Sequence, residues 1–345
     1  MIHGFINLHK SAGWTSHDCV ARVRRLLNTK KVGHGGTLDP LATGVLPIAV
    51  GRATKLLQYL PDGKAYQAKI RFGVVTSTDD LEGDIIQQRS ADHLERQAVE
   101  AVLPQFIGKL AQVPPMYSAV QVAGKRLYDL ARQGKAVEVP IRQVVIHSLM
   151  LQGWQVGEQP ELTLDVACGA GTYIRSLARD LGEAMGTGAT LAGLVRSHSS
   201  GFDLSDSITL DKLAEAVKKE TFAPVPAGTA MVHLEAIALP PQLARRWQLG
   251  QKLTVHDVSP YMTPTLEQAP LLSPVRVITS DTQSFLGIGE FREGQPTVST
   301  AACSSSNLEP SSLAVAQGSE LFSSDPNDGE TMKIFAPKRV FLPLG

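Results

Sequence analysis

The run Gly33-His34-Gly35-Gly36-Thr37-Leu38-Asp39-Pro40-Leu41-Ala42-Thr43-Gly44-Val45-Leu46-Pro47-Ile48 sets one carboxylate, Asp39, inside an otherwise apolar and glycine-rich segment. Its glycines allow backbone shapes that other residues resist, so the chain can come close to a bulky ligand. Pro40 biases Asp39 toward an extended backbone and removes a competing N–H donor. Leu38, Leu41, Val45, Leu46 and Ile48 surround the carboxylate with apolar side chains, a setting that suits a nucleophile or a base. A lone Asp-Pro more often marks a turn between buried segments. The length of the run is what argues for a site.

A chain of 345 residues is long enough for one large domain and a smaller one. No apolar run approaches membrane-spanning length, and the first residues lack a charged-then-apolar leader pattern, so a cytoplasmic protein is expected. Cys19, Cys168 and Cys303 are far apart and in no metal-ligand spacing, which fits a reducing compartment and argues against structural zinc. Lys+Arg and Asp+Glu balance at 33 each, so a nucleic-acid partner must be met by a local patch. The first sixty residues offer one, with eight Lys or Arg against Asp18 and Asp39; a solvated helix face accounts for the same charges equally well.

Along the chain, Phe5–Leu8 reads as a strand, followed by a helix capped by Thr15 or Ser16 with the stripe Val20, Val23, Leu26 and Leu27. Arg22, Arg24 and Arg25 lie off that stripe, with Lys30 and Lys31 beyond its end. Residues 64–75 alternate as a half-buried strand, Tyr66, Ala68, Ile70 and Phe72 on one face. Asp92 to Leu103 predicts a helix with Leu94, Ala98, Ala101 and Val102 inward. Between 112 and 140, Lys125, Arg126, Arg132 and Lys135 recur beside Tyr117 and Tyr128, which suits RNA shape recognition or a surface helix pair. Strands follow around 143–151 and 161–168, then a helix carrying Ile174, Leu177, Ala178, Leu181 and Met185, with Thr172 as its N-cap and Gly186 as its stop. The preceding Gly169-Ala170-Gly171 lacks the third glycine of a dinucleotide fingerprint, Ile174 standing in its place. Composition shifts after about residue 222. Strands are expected near 275–279, 285–291 and 333–342, and the Ser-rich 297–331, free of Lys and Arg, reads as a mobile loop.

Gly33 to Gly44 resembles the motif G-H-x-G-x-L-D-P-x-A-T-G of TruB-type tRNA pseudouridine synthases. Three further stretches resemble that family in the same order: Lys64-Ala65-Tyr66, Gly171-Thr172-Tyr173-Ile174-Arg175, and Leu194-Val195-Arg196, where Val195 replaces an arginine. Pro114–Ala119 with Gly124–Tyr128 resembles the family's RNA-gripping insertion, and Leu8–Gly13 its opening turn, with His9 and Ser11 as departures. The resemblance implies an α+β pseudouridine synthase fold, a mixed and largely antiparallel sheet flanked by helices. It implies a catalytic domain over 1–225 with the insertion at about 112–140, and a small β-rich, PUA-like RNA-binding domain over 230–345.

The implied activity is isomerisation of uridine 55 in the T-loop of tRNA to pseudouridine. Asp39 would be the essential carboxylate, Arg175 its ionic partner and Tyr66 the ring that stacks on the flipped base. His34, Tyr173, Leu194, Lys10 and Arg126 would contact the RNA or the base. Isomerisation conserves atoms, so no metal or other cofactor is expected, and the partner is the tRNA T-stem-loop, met by a monomer. An RNA-folding chaperone using the same groove without catalysis is the alternative. An Asp-dependent glycosidase fits less well, since that chemistry pairs two carboxylates and the loop holds one.

Overall fold

The computed structural model describes residues 2–118, 120–122, 125–127, 139–294 and 332–341. The alternating run predicted at 64–75 becomes a strand over Lys64–Phe72 and lies near the middle of a ten-stranded sheet. The strands of the first part of the chain are β1 (Gly4–Lys10), β2 (Val32–His34), β3 (Thr43–Val50), β4 (Lys64–Phe72), β5 (Val74–Thr76), β6 (Ile85–Gln88) and β7 (Gly108–Gln112). They continue with β8 (Gln121–Val122), β9 (Lys125–Arg126), β10 (Arg142–Gln155), β11 (Glu161–Cys168), β12 (Ala189–Ser199), β13 (Phe202–Asp203) and β14 (Ile208–Thr209). The large sheet runs β14-β1-β3-β12-β4-β11-β10-β7, with β2 added to β3 and β13 to β12. Pairing is antiparallel except at β1–β14 and β3–β12. This is the mixed, largely antiparallel α+β architecture that the family resemblance implies.

Why these segments form these elements is visible in the side chains. Tyr66, Ala68, Ile70 and Phe72 are all buried, and the residues between them are more exposed, as a period of two on a one-sided sheet requires. The first helix, α1 (Ser16–Leu26), starts at Thr15, whose hydroxyl accepts from Asp18 N while the Asp18 carboxylate accepts from Thr15 N. That reciprocal box satisfies two of the orphan donors at a helix start. Cys19, Val20 and Val23 then enter the core beside Leu8, Leu46 and Ile48, each large apolar side chain contributing about 1.5–3 kcal/mol on burial. The helix Ile174–Ala184 joins the same core through Ile174, Leu177, Ala178 and Leu181. It passes so near the start of β12 that a methyl group on Gly182 would lie 2.1 Å from Ala189 N. Only glycine fits there.

Two local expectations change. The helix predicted over Asp92–Leu103 is shorter, Arg96–Val102, because residues 91–94 close a turn through Leu94 N to Ala91 O. Its buried residue is Val99; Ala98 and Ala101 face out. Thr172 does not cap its helix either: its hydroxyl donates to Gly169 O, and Tyr173 occupies the N-cap position without a side-chain cap.

The chain divides into two compact units, Met1–His233 and Leu234–Gly345. The first extends past the compositional shift because Phe5 and Val225 exchange backbone hydrogen bonds and His233 bonds Tyr59 O. The second is a five-stranded sheet ordered β15-β17-β18-β19-β16, formed by β15 (Ala236–Leu239), β16 (Leu253–Thr254), β17 (Val275–Thr279), β18 (Phe285–Gly294) and β19 (Met332–Val340). Its core gathers Trp247, Phe335, Phe291 and Leu239. The segment 297–331 lies outside the described residues. Among the described residues no helix is long and apolar enough to cross a membrane.

Candidate active site

Asp39 sits on the connection between β2 and β3, and two groups of buried polar contacts fix that connection from either side. On one side stands the β1–α1 turn. Ser16 Oγ accepts from Leu38 N at 2.8 Å and lies 3.1 Å from Leu38 O, while Gly13 N donates to Pro40 O at 2.9 Å. The Lys10 ammonium, wholly buried, donates to Ser11 O, Trp14 O and Pro40 O. Burial lowers its pKa. This corrects the expectation that Lys10 contacts RNA: the side chain ties a turn to the Asp39 loop and has no surface to offer.

On the other side stands Arg196, also fully buried. Its Nε donates to Val45 O at 2.7 Å, Nη1 to Thr37 O and Nη2 to Gly36 O, both at 3.1 Å. The same residue presses its backbone against Gly44 in the parallel β3–β12 register. Gly44 has φ +103°, and a methyl group there would lie 2.3 Å from Arg196 O. The sequence showed Arg196 within a motif but gave no sign of this grip, which joins residues on both sides of Asp39 to one side chain.

Arg175, the second residue of the helix Ile174–Ala184, brings its Nε to 3.0 Å from Asp39 Oδ2. The contact is ionic, with the Nε–H not aligned on the oxygen. Nη1 donates to Thr78 O at 3.1 Å and faces Asp80 Oδ2 at 3.5 Å; Nη2 donates to Tyr117 O at 2.9 Å. The guanidinium is almost wholly buried, as is Asp80, whereas the Asp39 side chain keeps 36% of its surface. A buried cation between two carboxylates offsets the desolvation that either charge would otherwise suffer. Nearby Glu82 has its pKa raised, first by burial and then by Asp80 and Asp39.

The open side of Asp39 faces a cavity of about 520 Å³. Tyr66 and Leu194, both buried, contribute its aromatic and aliphatic walls, and Tyr173, His34 and Lys64 line it as well. Tyr66 stands opposite Arg196 in the β4–β12 register. Burial raises the pKa of its phenol, with the Arg196 guanidinium opposing, so the phenol is neutral in the free site. Burial also raises that of Tyr173. His34 Nδ1 accepts from Gly36 N at 3.3 Å, and the ring meets His17 edge-on with centroids 5.8 Å apart. Burial, then His17 and Arg196, hold the His34 pKa below the usual histidine value.

Thus Asp39, Arg175, Tyr66, His34, Tyr173 and Leu194 come together around one cavity, and Lys10 does not. Arg126 belongs to β9, but its side chain lies outside the described residues, as do Tyr128, Arg132 and Lys135. In the basic helix, Arg24 donates through Nη2 to Val32 O. Ser16, His17, Lys64, Asp80 and Arg196 complete the site without having been singled out as site residues. Asp80 lay hidden in an acidic turn, and Ser16 was read only as a cap. Chemically, an ionised carboxylate with one free side, facing a pocket of apolar and aromatic walls, can attack or deprotonate a planar ring that fills the pocket.

Comparison with known proteins agrees with this geometry. Residues 24–174 match the model of the TruB family pseudouridylate synthase N-terminal domain. Residues 175–240 match the tRNA pseudouridylate synthase B C-terminal domain, and 236–296 the C-terminal domain of pseudouridine synthase II TruB. A tRNA pseudouridine synthase B from Nostoc sp. is 53% identical over 293 residues, covering 85% of this chain and 96% of the relative. One from Acaryochloris marina is 57% identical over 265 residues, covering 74% and 91%. Among solved structures, a Cbf5-Nop10-Gar1 complex superposes with a TM-score of 0.62 at 27% identity, covering 83% of this chain and 78% of that one. An H/ACA RNP bound to a substrate RNA containing 2′-deoxyuridine gives a TM-score of 0.61 at 26% identity, covering 83% and 77%. The chain belongs to the TruB family of pseudouridylate synthases.

Proposed function

We propose that the chain isomerises uridine 55 in the T-loop of tRNA to pseudouridine, with Asp39 as the essential carboxylate acting on a flipped-out base. The observation that carries this reading is the Asp39–Arg175 contact at the edge of a cavity walled by Tyr66 and Leu194. Lifting a base from its stack costs a few kcal/mol. Tyr66 repays part of that by offering a ring to stack on, and the neutral His34 ring at the mouth is shaped to fill the vacated place. Arg175 keeps Asp39 aimed. The Tyr66 and Leu194 walls hold the detached uracil through its turn, and the bound RNA completes the exclusion of water from C1′.

The wider assignments follow from the same reading. Residues 1–225 act as the catalytic domain, with the insertion near 112–140 gripping the RNA. The β-rich unit that follows adds an RNA-binding surface, and a monomer acts in the cytoplasm. Incubating the protein with an unmodified tRNA transcript and mapping pseudouridine by chemical modification tests the assignment. Pseudouridine at position 55, lost in Asp39→Asn while tRNA binding persists, is the expected result. Binding and refolding of tRNA without any modification would establish the chaperone instead.

A further inference from the structure

Among the described residues, Lys64 is the cavity-lining cation that the roles above leave without a task. It lies two residues before Tyr66 on β4, so the two side chains leave the strand on the same face. Among the described residues its ammonium has no ion-pair or hydrogen-bond partner; Arg196, Cys168 and Asp62 are the ionisable groups that act on it. Its Nζ and Arg196 Nη1 both flank Gly36, 3.7 and 3.8 Å from where a methyl group on that glycine would stand. Gly36 is at φ +146° and leaves that space open. Asp39, for its part, is engaged by Arg175.

We propose that Lys64 is a catalytic residue of the isomerisation, its ammonium holding the carbonyl edge of the flipped uracil and taking up the negative charge that develops on the base. The inference rests on the proposed uridine chemistry and adds a group to it. In a uracil whose C1′ faces Asp39 and whose ring lies on Tyr66, O4 stands across the ring from the C1′ bond, and Lys64 is the lysine lining the same cavity that would meet the carbonyl edge. Every route open to Asp39 places charge on the carbonyl oxygens. If the N1–C1′ bond breaks, whether by carboxylate attack at C1′ or after loss of a C2′ proton, its electron pair leaves with N1. The uracil is then an anion delocalised over N1 and the ring carbonyls. If the carboxylate instead adds to C6, the C5–C6 π pair moves toward C4 and the charge rests on O4. C5 then bonds to C1′ as the C1′–O bond to Asp39 breaks in the first route, as C2′ regains its proton in the second, and after N1–C1′ cleavage in the third, where the carboxylate finally leaves C6. The C5 proton is lost and N1 gains one, so the base ends neutral. An ammonium on the carbonyl edge therefore binds the intermediate more tightly than the starting uridine, the condition for raising a rate rather than an affinity.

The alternative partner for an unpaired lysine is a backbone phosphate, and the two differ in what they change. Single-turnover pseudouridine formation and tRNA binding are measured for the wild type, Lys64→Gln and Lys64→Arg across a range of salt. Lys64→Gln should lower the saturating rate by about 10²–10³-fold, the usual loss for one charge-stabilising donor. Its Kd should stay within about threefold of wild type, with an unchanged slope of log Kd against log salt, and that retained binding shows the fold is intact. Lys64→Arg should keep most of the rate. A saturating rate unchanged in Lys64→Gln, or equal losses in both variants, overturns the proposal. So does a weakened Kd whose salt slope falls by about 0.7–0.9, the signature of one lost phosphate contact. A wild type that makes no pseudouridine refutes the proposed function itself, a result separable from any of these.

Discussion

Arg175 stands closest to Asp39 through Nε, while its two Nη groups are held by Thr78 O, Tyr117 O and the Asp80 carboxylate. The guanidinium is thereby locked to the protein on one edge, and the carboxylate it faces is held by charge rather than by a hydrogen bond. Asp39 can turn its free oxygen into the cavity without breaking the arrangement that holds its partner. Arg175 is held by its own hydrogen bonds, and Asp39 keeps 36% of its side-chain surface free.

Replacing Arg175 tests that division. Arg175→Met removes the cation between Asp39 and Asp80 and strands two carbonyls, and should lower the single-turnover rate by about 10²–10³-fold, with tRNA affinity within about threefold. Arg175→Lys keeps a charge but cannot serve Thr78 O, Tyr117 O and two carboxylates from one ammonium. Its rate should fall between the two. Normal turnover in Arg175→Met would show that the contact is ornamental.

The segments with strict periodicity were legible before the structure. Lys64–Phe72 alternates, α1 carries its cap and stripe, and the last three strands follow their apolar runs. The pairing of Asp39 with Arg175 was legible only as what the resemblance of two motifs to the family implies, and the structure brings the two side chains to 3.0 Å. The role of Lys10 was not, because a lysine beside a glycine turn reads as surface. Only the fold shows three carbonyls converging on it. Arg196 was hidden for a similar reason. Its partners, Gly36, Thr37 and Val45, are backbone oxygens, and a backbone oxygen leaves no mark on a sequence.

Lys10 gives a second prediction. Lys10→Met should leave the salt dependence of tRNA binding unchanged, because the ammonium is buried. It should lower the melting temperature by roughly 6 °C or more, since stranding the three carbonyls costs about 1–3 kcal/mol each and each kcal/mol is worth about 2–4 °C in a unit of this size. Turnover should fall as the Pro40 end of the loop loosens. A reduced salt slope with an unaltered melting temperature would return Lys10 to the RNA-contacting surface.

Gly44 gives a third. A methyl group there has no room against Arg196 O, and φ +103° disfavours any L side chain. Gly44→Ala should separate β3 from β12 locally, release the Arg196 grip on Val45 and destabilise the protein by about 3 kcal/mol or more. Equilibrium urea unfolding measures this directly. Wild-type stability in the variant would mean that the parallel register of β3 and β12 is not as described.

The last prediction concerns His34 and pH. Burial, His17 and Arg196 lower its pKa in the folded chain, while an unfolded histidine takes up its proton near pH 6.5. Between those two values the unfolded state binds more protons than the folded one, so stability should fall as pH drops below about 6.5 and be unaffected by this group above it. His34→Phe keeps an aromatic ring and removes the titration. It should therefore unfold with a shallower loss of stability than wild type between pH 6.5 and 5, with parallel behaviour at pH 8. If the ring acts by filling the vacated stack, His34→Phe should modify tRNA within about tenfold of the wild-type rate. His34→Ala should lose roughly 5–150-fold, the equivalent of one base–aromatic stack. Equal activity of the Ala variant, or an acid limb unchanged in the Phe variant, would assign the ring no part in base flipping or in the acid sensitivity of the fold.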